Sequence, residues 1–211
     1  MLPRTLIEIA NYLKKSPFKL SQKSADGRIN SAINEDELLF FIKKQFPNIL
    51  CPKKREPKDF SFEENEKYIP VNIKITNTNT TDNLNCKVGI YYALSGKIPT
   101  FDNQIDWKKY LEILQKNISE NDKDYYFLVI NKNNFNDIYP VSLKCIHKII
   151  PNGNNLPFQA RWDQNKIPLH RTFEEAKNYL LSTMGKSFKL RSRVYCQFIE
   201  YFPEFKSLLD E

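Results

Sequence analysis

Two neighbouring segments carry polar side chains that could act together on a phosphodiester. The stretch "IPVNIKIT" (69–76) alternates apolar and polar residues, as a strand with one buried face does, so Asn72 and Lys74 share its polar face. Asp59 opens a shorter alternating run, and the polar residues between the two runs predict a hairpin turn near Asn65. In that register Asp59 lies almost directly opposite Asn72, within reach of Lys74.

A helix predicted over about 34–46 supplies a fourth polar group. Asn34 and Glu37 have the spacing of a capping box at its start. Glu35 falls in the middle of the apolar stripe, where a carboxylate is costly unless it is paired or bound to a metal. That stripe consists of Leu38, Leu39, Ile42 and Phe46. If the helix packs on the hairpin, Glu35 points at the same site.

These residue types suit metal-dependent hydrolysis of a phosphodiester. Acidic oxygens hold Mg²⁺, which polarises the phosphate and lowers the pKa of the attacking water, and a lysine orients that water and offsets the developing charge. Short patterns of this kind also recur by chance. An ordinary hairpin with polar surface residues, beside a glutamate that serves the helix dipole, therefore remains an alternative.

Asp59, a gap, and then "NIK" resemble the core of the PD-(D/E)XK nucleases, especially the type II restriction endonucleases. The resemblance covers about residues 29–95. It implies a mixed sheet of roughly five strands flanked by helices, Mg²⁺-dependent cleavage of double-stranded DNA, and a homodimer on a palindromic site. By position, Asp59 matches the first metal-binding aspartate and Lys74 the catalytic lysine.

The sequence departs from the family pattern at two positions. Lys58 stands where proline is expected, which is minor because Pro57 is adjacent. Asn72 replaces an expected Asp or Glu and brings no charge to a metal. Glu35 could compensate, since some members of this fold carry an acidic ligand on a helix. An engineered inactivating change and a degenerate site are the other two explanations.

Two further segments hold side chains suited to DNA. The segment "NTNTTDNLNCK" and the strand end before it contribute Thr76, Asn77, Asn79, Asp82, Asn83 and Lys87, the last as a phosphate contact. The turn "PNGNN" and the strand after it contribute Asn154, Asn155, Gln159 and Arg161, which include the side-chain types that read adenine and guanine in the major groove. A loop that caps its own helix and a plain hairpin turn are the corresponding alternatives.

Composition limits the classes of function. The net charge of +7 favours a polyanionic partner, and the four scattered cysteines fit neither a zinc site nor a disulfide framework. No apolar run approaches the roughly 20 residues that span a bilayer, so we expect a cytoplasmic protein with no membrane partner. Helices and strands mix along the chain, which predicts an α/β or α+β fold with a central mixed sheet flanked by helices.

The sequence therefore predicts a single nuclease domain over 1–211, with a catalytic core at about 29–130 and recognition elements at about 138–211. The expected activity is that of a type II restriction endonuclease. Its catalytic residues are Asp59, Asn72, Lys74 and Glu35, and Mg²⁺ is held by Asp59, Glu35 and Asn72. A catalytically inactive DNA-binding protein on the same fold, or a nuclease acting on junctions or RNA, remains the alternative.

Overall fold

The computed structural model describes residues 2–16, 27–52, 58–154 and 157–204, with backbone only over 27–34. Its helices are α1 (Arg4–Lys15), α2 (Gly27–Gln45), α3 (Lys87–Ser95), α4 (Trp107–Asn117) and α5 (Phe173–Tyr201), with a 3₁₀ turn at Trp162–Asn165. Its strands are β1 (Phe60–Glu64), β2 (Lys67–Thr76), β3 (Thr81–Leu84), β4 (Tyr126–Asn131), β5 (Ile138–Ser142), β6 (Ile150–Pro151) and β7 (Phe158–Arg161).

The strands form two sheets. The larger sheet has four strands in the order β1-β2-β4-β5, in which β2 and β4 are parallel and the other pairs are antiparallel. The smaller sheet has three antiparallel strands in the order β3-β7-β6. The predicted mixed α/β class with a mixed sheet is thus confirmed, whereas the second sheet was not foreseen.

The hairpin of β1 and β2 has the predicted register. Asn65 and Glu66 take left-handed φ values of 51° and 59°, as the two-residue turns of twisted hairpins require. Phe60 pairs with Val71, so the next position brings Asp59 opposite Asn72. The Asp59 N–H donates to the Val71 carbonyl across 2.9 Å, which continues the ladder to that position.

Each face of the larger sheet is covered by its own hydrophobic core. On one face, α1 and α2 pack through residues such as Leu6, Ile9, Leu38 and Ile42 on Phe60, Phe62, Val71, Ile73 and Leu128. On the other face, α3, α4, α5 and the smaller sheet enclose Phe127, Val129 and Val141. Asn72 and Lys74 alternate with Val71 and Ile73 along β2, so they lie on this second face.

Several helix boundaries agree with the sequence. The sequence predicts Asp106 as the cap of a helix over 106–118, and the Asp106 side chain caps α4 by accepting from the Lys109 N–H at 2.9 Å. Thr172 and Glu175 have the spacing of a capping box in the sequence and form one at the start of α5. Helix α3 ends at Gly96, whose φ of 68° places it in the left-handed region that glycine tolerates best.

Three local predictions were wrong. The sequence "SADGRINS" predicts a turn around Gly27, but Gly27 already belongs to helix α2, so Asn34 lies inside the helix and is not its cap. The sequence predicts two helices, at about 173–183 and 192–202, but these are one continuous helix, α5. The segment after β2, expected to be a loop, includes strand β3, because its backbone pairs with β7 despite its polar side chains.

Candidate active site and nucleic-acid interface

Asp59 lies at the open end of the β1–β2 hairpin and is half-buried. Its carboxylate accepts a hydrogen bond from the Ile73 N–H. Burial raises the pKa of the Asp59 carboxyl, and the Ile73 N–H and the Lys74 ammonium oppose that rise. The site therefore holds a carboxylate that has been partly removed from water, as a buried catalytic or metal-binding acid often is.

Lys74 lies two residues beyond Asn72 on the same face of β2, and both side chains are half-buried. The Lys74 ammonium donates to the Asn83 main-chain carbonyl of β3 across 3.3 Å. Asp59, Asn72 and Lys74 are thus brought together by one hairpin, as the sequence predicted.

The nearest second carboxylate to Lys74 that we identify is Asp82. Its Oδ2 lies 4.0 Å from Lys74 Nζ and accepts a hydrogen bond from the Trp162 indole N–H at 2.9 Å. Asp82 is one of the predicted DNA contacts, a role that stays a prediction, and its pairing with Lys74 was not foreseen. No sequence signal revealed it, because it depends on the unforeseen pairing of β3 with β7.

Cys86 lies close enough to the Lys74 ammonium to feel its charge. Burial nevertheless raises the pKa of the Cys86 thiol to about 12. The thiol is therefore protonated at neutral pH and is not a nucleophile.

The two predicted DNA-reading segments meet on the smaller sheet. Asn83 pairs with Gln159 and Thr81 pairs with Arg161. The Gln159 amide donates to the Asn83 Oδ1 at 2.9 Å, and Arg161 binds Asp163 at 2.7 Å. Because partners in register point to the same side, these four side chains form one polar face of the smaller sheet. Asp82 alternates with Thr81 and Asn83 and points to the opposite side of β3, where it approaches Lys74.

The remaining predicted DNA contacts lie around this face. Thr76 ends β2, the Asn77 side chain accepts from Asn133 at 2.8 Å, and Asn79 is exposed. Asn154 is exposed in the β6–β7 turn, where its carbonyl accepts from Arg191 of α5. Asn155 lies outside the described residues. The DNA-binding roles of these residues stay predictions.

The ammonium of Lys87, the predicted phosphate contact, has its partners inside the protein. Lys87 is buried, its ammonium donates to the Ile105 carbonyl at 2.6 Å, and it stacks over the Trp107 ring at 4.0 Å. Burial, together with the nearby Arg191 guanidinium, lowers the pKa of Lys87. The Lys87 ammonium thus makes its contacts inside the protein, where it holds the start of α3 against α4.

Glu35 is half-buried in the first half of α2. Leu38 and Ile42 of this helix are buried in the core on the Val71 and Ile73 face, as the predicted stripe requires. Asn72 and Lys74 lie on the other face of the sheet. The metal-ligand role of Glu35 stays a prediction.

The side chains around Lys74 offer few oxygen ligands for Mg²⁺. Across the described ranges, no group of three or more His, Cys, Asp or Glu side chains is placed to hold a metal ion. Mg²⁺ often binds through one or two carboxylates and completes its shell with water and substrate phosphate oxygens. The Asp59 carboxylate and the Asn72 amide oxygen fit that weaker mode of binding.

A cavity of about 600 Å³ borders the Asp59 end of the hairpin. Lys58, Pro70, Tyr125, Tyr92 and Phe101 are among the residues that line it.

No protein-family model matches this chain, and no curated protein matches it. None of the helices in the described part of the chain is both long enough and apolar enough to cross a membrane.

Proposed function

We propose that this protein is a Mg²⁺-dependent endonuclease that cleaves double-stranded DNA at specific sequences, as type II restriction endonucleases of the PD-(D/E)XK class do. The observation that carries the proposal is the hairpin register. It sets Asp59 opposite Asn72 and beside Lys74, with Lys74 in contact with the strand that bears Asn83. Lys74 thereby contacts the main chain of the strand whose outer side chains are the candidate base readers.

The connectivity supports the same class. The hairpin that carries Asp59 and Lys74 is followed by helices α3 and α4, and the chain returns through β4, which lies parallel to β2. The sequence resemblance implied a mixed sheet of roughly five strands flanked by helices; the larger sheet here is mixed and flanked by helices but has four strands.

Asp59 and Asn72 would hold the metal through the carboxylate and the amide oxygen. When bound, Mg²⁺ supplies a Lewis acid for the scissile phosphate and a bound water of lowered pKa. Asn72 brings no negative charge, so substrate phosphate oxygens must complete the site and metal binding should depend strongly on DNA.

Lys74 would orient the attacking water and offset charge on the phosphorane. Its ammonium is held from behind by the Asn83 carbonyl, with the Asp82 carboxylate at 4.0 Å. That support limits the directions in which the side chain can point, which favours a single productive geometry.

The polar face of Asn83, Gln159, Thr81 and Arg161 would meet the edges of bases. Amide side chains and arginine carry the donors and acceptors that distinguish base pairs in the major groove. The net charge of +7 adds a general attraction to the phosphate backbone. A cytoplasmic protein acting as a homodimer is the setting that this function implies.

A catalytically inactive DNA-binding protein on the same fold is the second candidate. Asn72 favours it, because the one residue that departs seriously from the catalytic pattern is a metal ligand. In that case the same polar face would bind DNA, and Lys74 would serve as a phosphate contact.

Digestion of a long phage DNA with Mg²⁺ tests the proposal. The wild type is run beside Lys74→Ala and Asn72→Asp, with Lys97→Ala as a matched control, since Lys97 bonds to Asn117 on another surface. We expect discrete bands from the wild type and the control and none from Lys74→Ala.

The other outcomes separate the candidates. Bands from Asn72→Asp alone mean that asparagine disables a real nuclease site. No cleavage by any variant, together with sequence-specific binding in Ca²⁺, overturns the nuclease and supports the binding protein. Preference for branched DNA over the linear duplex overturns the restriction assignment.

A further inference from the structure

The cavity of about 600 Å³ is lined by strand β2 and by the loop that joins α3 to α4. Tyr68 and Pro70 come from β2, and the loop contributes residues 98–102. Ile98 of this loop is 63% exposed, so the cavity opens to solvent beside it. Small-molecule sites in proteins have volumes of about 300–1,000 Å³. The cavity is therefore large enough for one nucleotide base and can be entered from outside.

The cavity adjoins the candidate active site along β2. Pro70 lies two residues before Asn72, and the alternation of a strand places both on the same face of the sheet. At about 3.3 Å per residue, their main chains are roughly 7 Å apart. Burial, and next the charge of the Asp59 carboxylate, raise the pKa of Tyr125, which also lines the cavity. A group bound in the cavity would thus lie beside the residues proposed to act on a phosphodiester.

Aromatic rings form much of the cavity wall. Tyr68 and Phe101 are half-buried, so part of each ring stays open to a ligand. Both rings are held by perpendicular ring contacts, Tyr68 with Tyr92 at 5.8 Å between centroids and Phe101 with Tyr91 at 5.0 Å. Fixed aromatic rings stack nucleobases of any sequence, because every base has a π face.

Two charged side chains add polar groups to this aromatic wall. The Lys58 ammonium donates to the Tyr68 hydroxyl and lies 4.7 Å from the centroid of that ring. It brings positive charge to a place where the phosphate of a bound nucleotide would come close. The Asp102 carboxylate accepts from the Gln104 N–H at 2.7 Å, and carboxylate oxygens also accept from the amino groups of bases. An apolar lining with a few polar groups is typical of a ligand site.

We propose that this cavity binds one nucleobase of the DNA substrate after that base has left its stack. The inference rests on the proposed function, because the phosphate of the same strand would lie at Asn72 and Lys74. A base inside a duplex cannot enter such a cavity, so the enzyme must extrude it, which costs least where the base is already unpaired. The bound base would anchor the strand beside Lys74.

Fluorescence anisotropy in Ca²⁺ with two labelled probes tests the cavity. One probe is a short single strand of mixed sequence, and the other is the same sugar–phosphate backbone without bases. We expect the wild type to bind the probe with bases about ten- to a hundredfold more tightly, as stacking on aromatic side chains supplies. Tyr68→Leu, which removes a ring, and Ile98→Asp, which puts a carboxylate at the opening, should each lose most of this preference.

Two matched controls should keep the preference for the probe with bases. Tyr12→Leu removes another half-buried tyrosine, one that stacks on Phe41 of α2. Ile167→Asp places the same charge at an isoleucine that is 78% exposed and is not among the lining residues. Because the preference is a ratio of two affinities, a general repulsion of phosphate by the new carboxylate cancels.

Three results would overturn the base site: equal binding of both probes by the wild type, a preference that both cavity variants retain, or a preference that the controls lose as well. Circular dichroism melts check folding, and Ile98→Asp decides the matter if Tyr68→Leu is unfolded. Digestion of phage DNA separates this inference from the nuclease. A base preference without cleavage overturns the nuclease and supports the base site, whereas cleavage without a base preference overturns the base site alone.

Discussion

The Lys74 ammonium of β2 donates to the Asn83 carbonyl of β3 across 3.3 Å, and this bond joins the two sheets. The lysine proposed for catalysis therefore rests on the main chain of a strand whose side chains are proposed to read DNA. A shift of β3 on binding DNA would move the support of Lys74. Recognition of the DNA sequence and hydrolysis of the phosphodiester would then be linked through the hydrogen bond from Lys74 to Asn83.

Asp82→Asn should slow DNA cleavage about tenfold or more, because it removes the carboxylate that lies 4.0 Å from Lys74 Nζ. The amide oxygen can still accept from the Trp162 indole, so stability should change little. Single-turnover cleavage rates measure the effect. The control is Asp122→Asn, which removes an exposed carboxylate paired with Lys67 and should leave the rate unchanged. Equal rates for wild type and Asp82→Asn would show that Asp82 does not position Lys74.

Asn72→Asp should tighten the binding of divalent cations by roughly ten- to a hundredfold, because it adds a second carboxylate opposite Asp59. Titration calorimetry with Mn²⁺ measures the change in the dissociation constant. The control is Asn79→Asp, which adds the same charge at an exposed position after β2. If both variants bind Mn²⁺ as weakly as the wild type, Asp59 and position 72 do not share a metal.

Asp59→Asn should stabilise the protein near neutral pH. Burial raises the pKa of Asp59 in the folded state, so the stability that its protonated form contributes is present below the unfolded pKa and is lost as pH rises through the folded pKa. Asparagine avoids that loss and keeps an oxygen for the Ile73 N–H. The difference in unfolding free energy between variant and wild type should vanish in acid, which urea denaturation at several pH values measures.

Asp122→Asn is the control for Asp59→Asn, and its effect on the free energy of unfolding should have the opposite sign. A hydrogen bond from Lys67 holds the pKa of Asp122 below its usual value, so the ionised form is the one that folding favours. Replacing Asp122 by asparagine should slightly lower the free energy of unfolding near neutral pH and leave it unchanged in acid. A gain in stability from both variants would contradict the interpretation of Asp59.

The β1–β2 hairpin was predictable because its signals are local. Alternation along β2 and the polar turn at Asn65 set the register, and the register alone brings Asp59 opposite Asn72. The pairing of β3 with β7 was not predictable, because β3 buries only Leu84 fully and is held by backbone bonds to a strand far along the chain. The approach of Asp82 to Lys74 was not predictable for the same reason.

Arg161→Ala should weaken binding to the cleaved sequence by about ten- to a hundredfold, the cost of losing one bidentate base contact of 1–3 kcal/mol. Binding to unrelated duplex should fall much less. Fluorescence anisotropy in Ca²⁺ measures both affinities. The control is Arg4→Ala, since Arg4 pairs with Glu8 on the exposed side of α1. A uniform loss across all sequences would make Arg161 a phosphate contact instead.

Lys87→Met should lower the free energy of unfolding by about 1 kcal/mol and leave DNA affinity unchanged. The variant loses the hydrogen bond to the Ile105 carbonyl and the cation–π contact with Trp107. DNA affinity should not change, because the Lys87 ammonium makes these contacts inside the protein. Urea denaturation measures the free energy of unfolding, with Lys109→Met, at an exposed position of α4, as a control that should stay near the wild type.

The salt dependence of DNA binding measures the effect of Lys87→Met on DNA affinity, because each lost phosphate contact lowers the slope of log K against log salt by about 0.9. If Lys87→Met leaves the free energy of unfolding unchanged but lowers the slope of log K against log salt, Lys87 contacts DNA phosphate. That result would contradict its burial against α4.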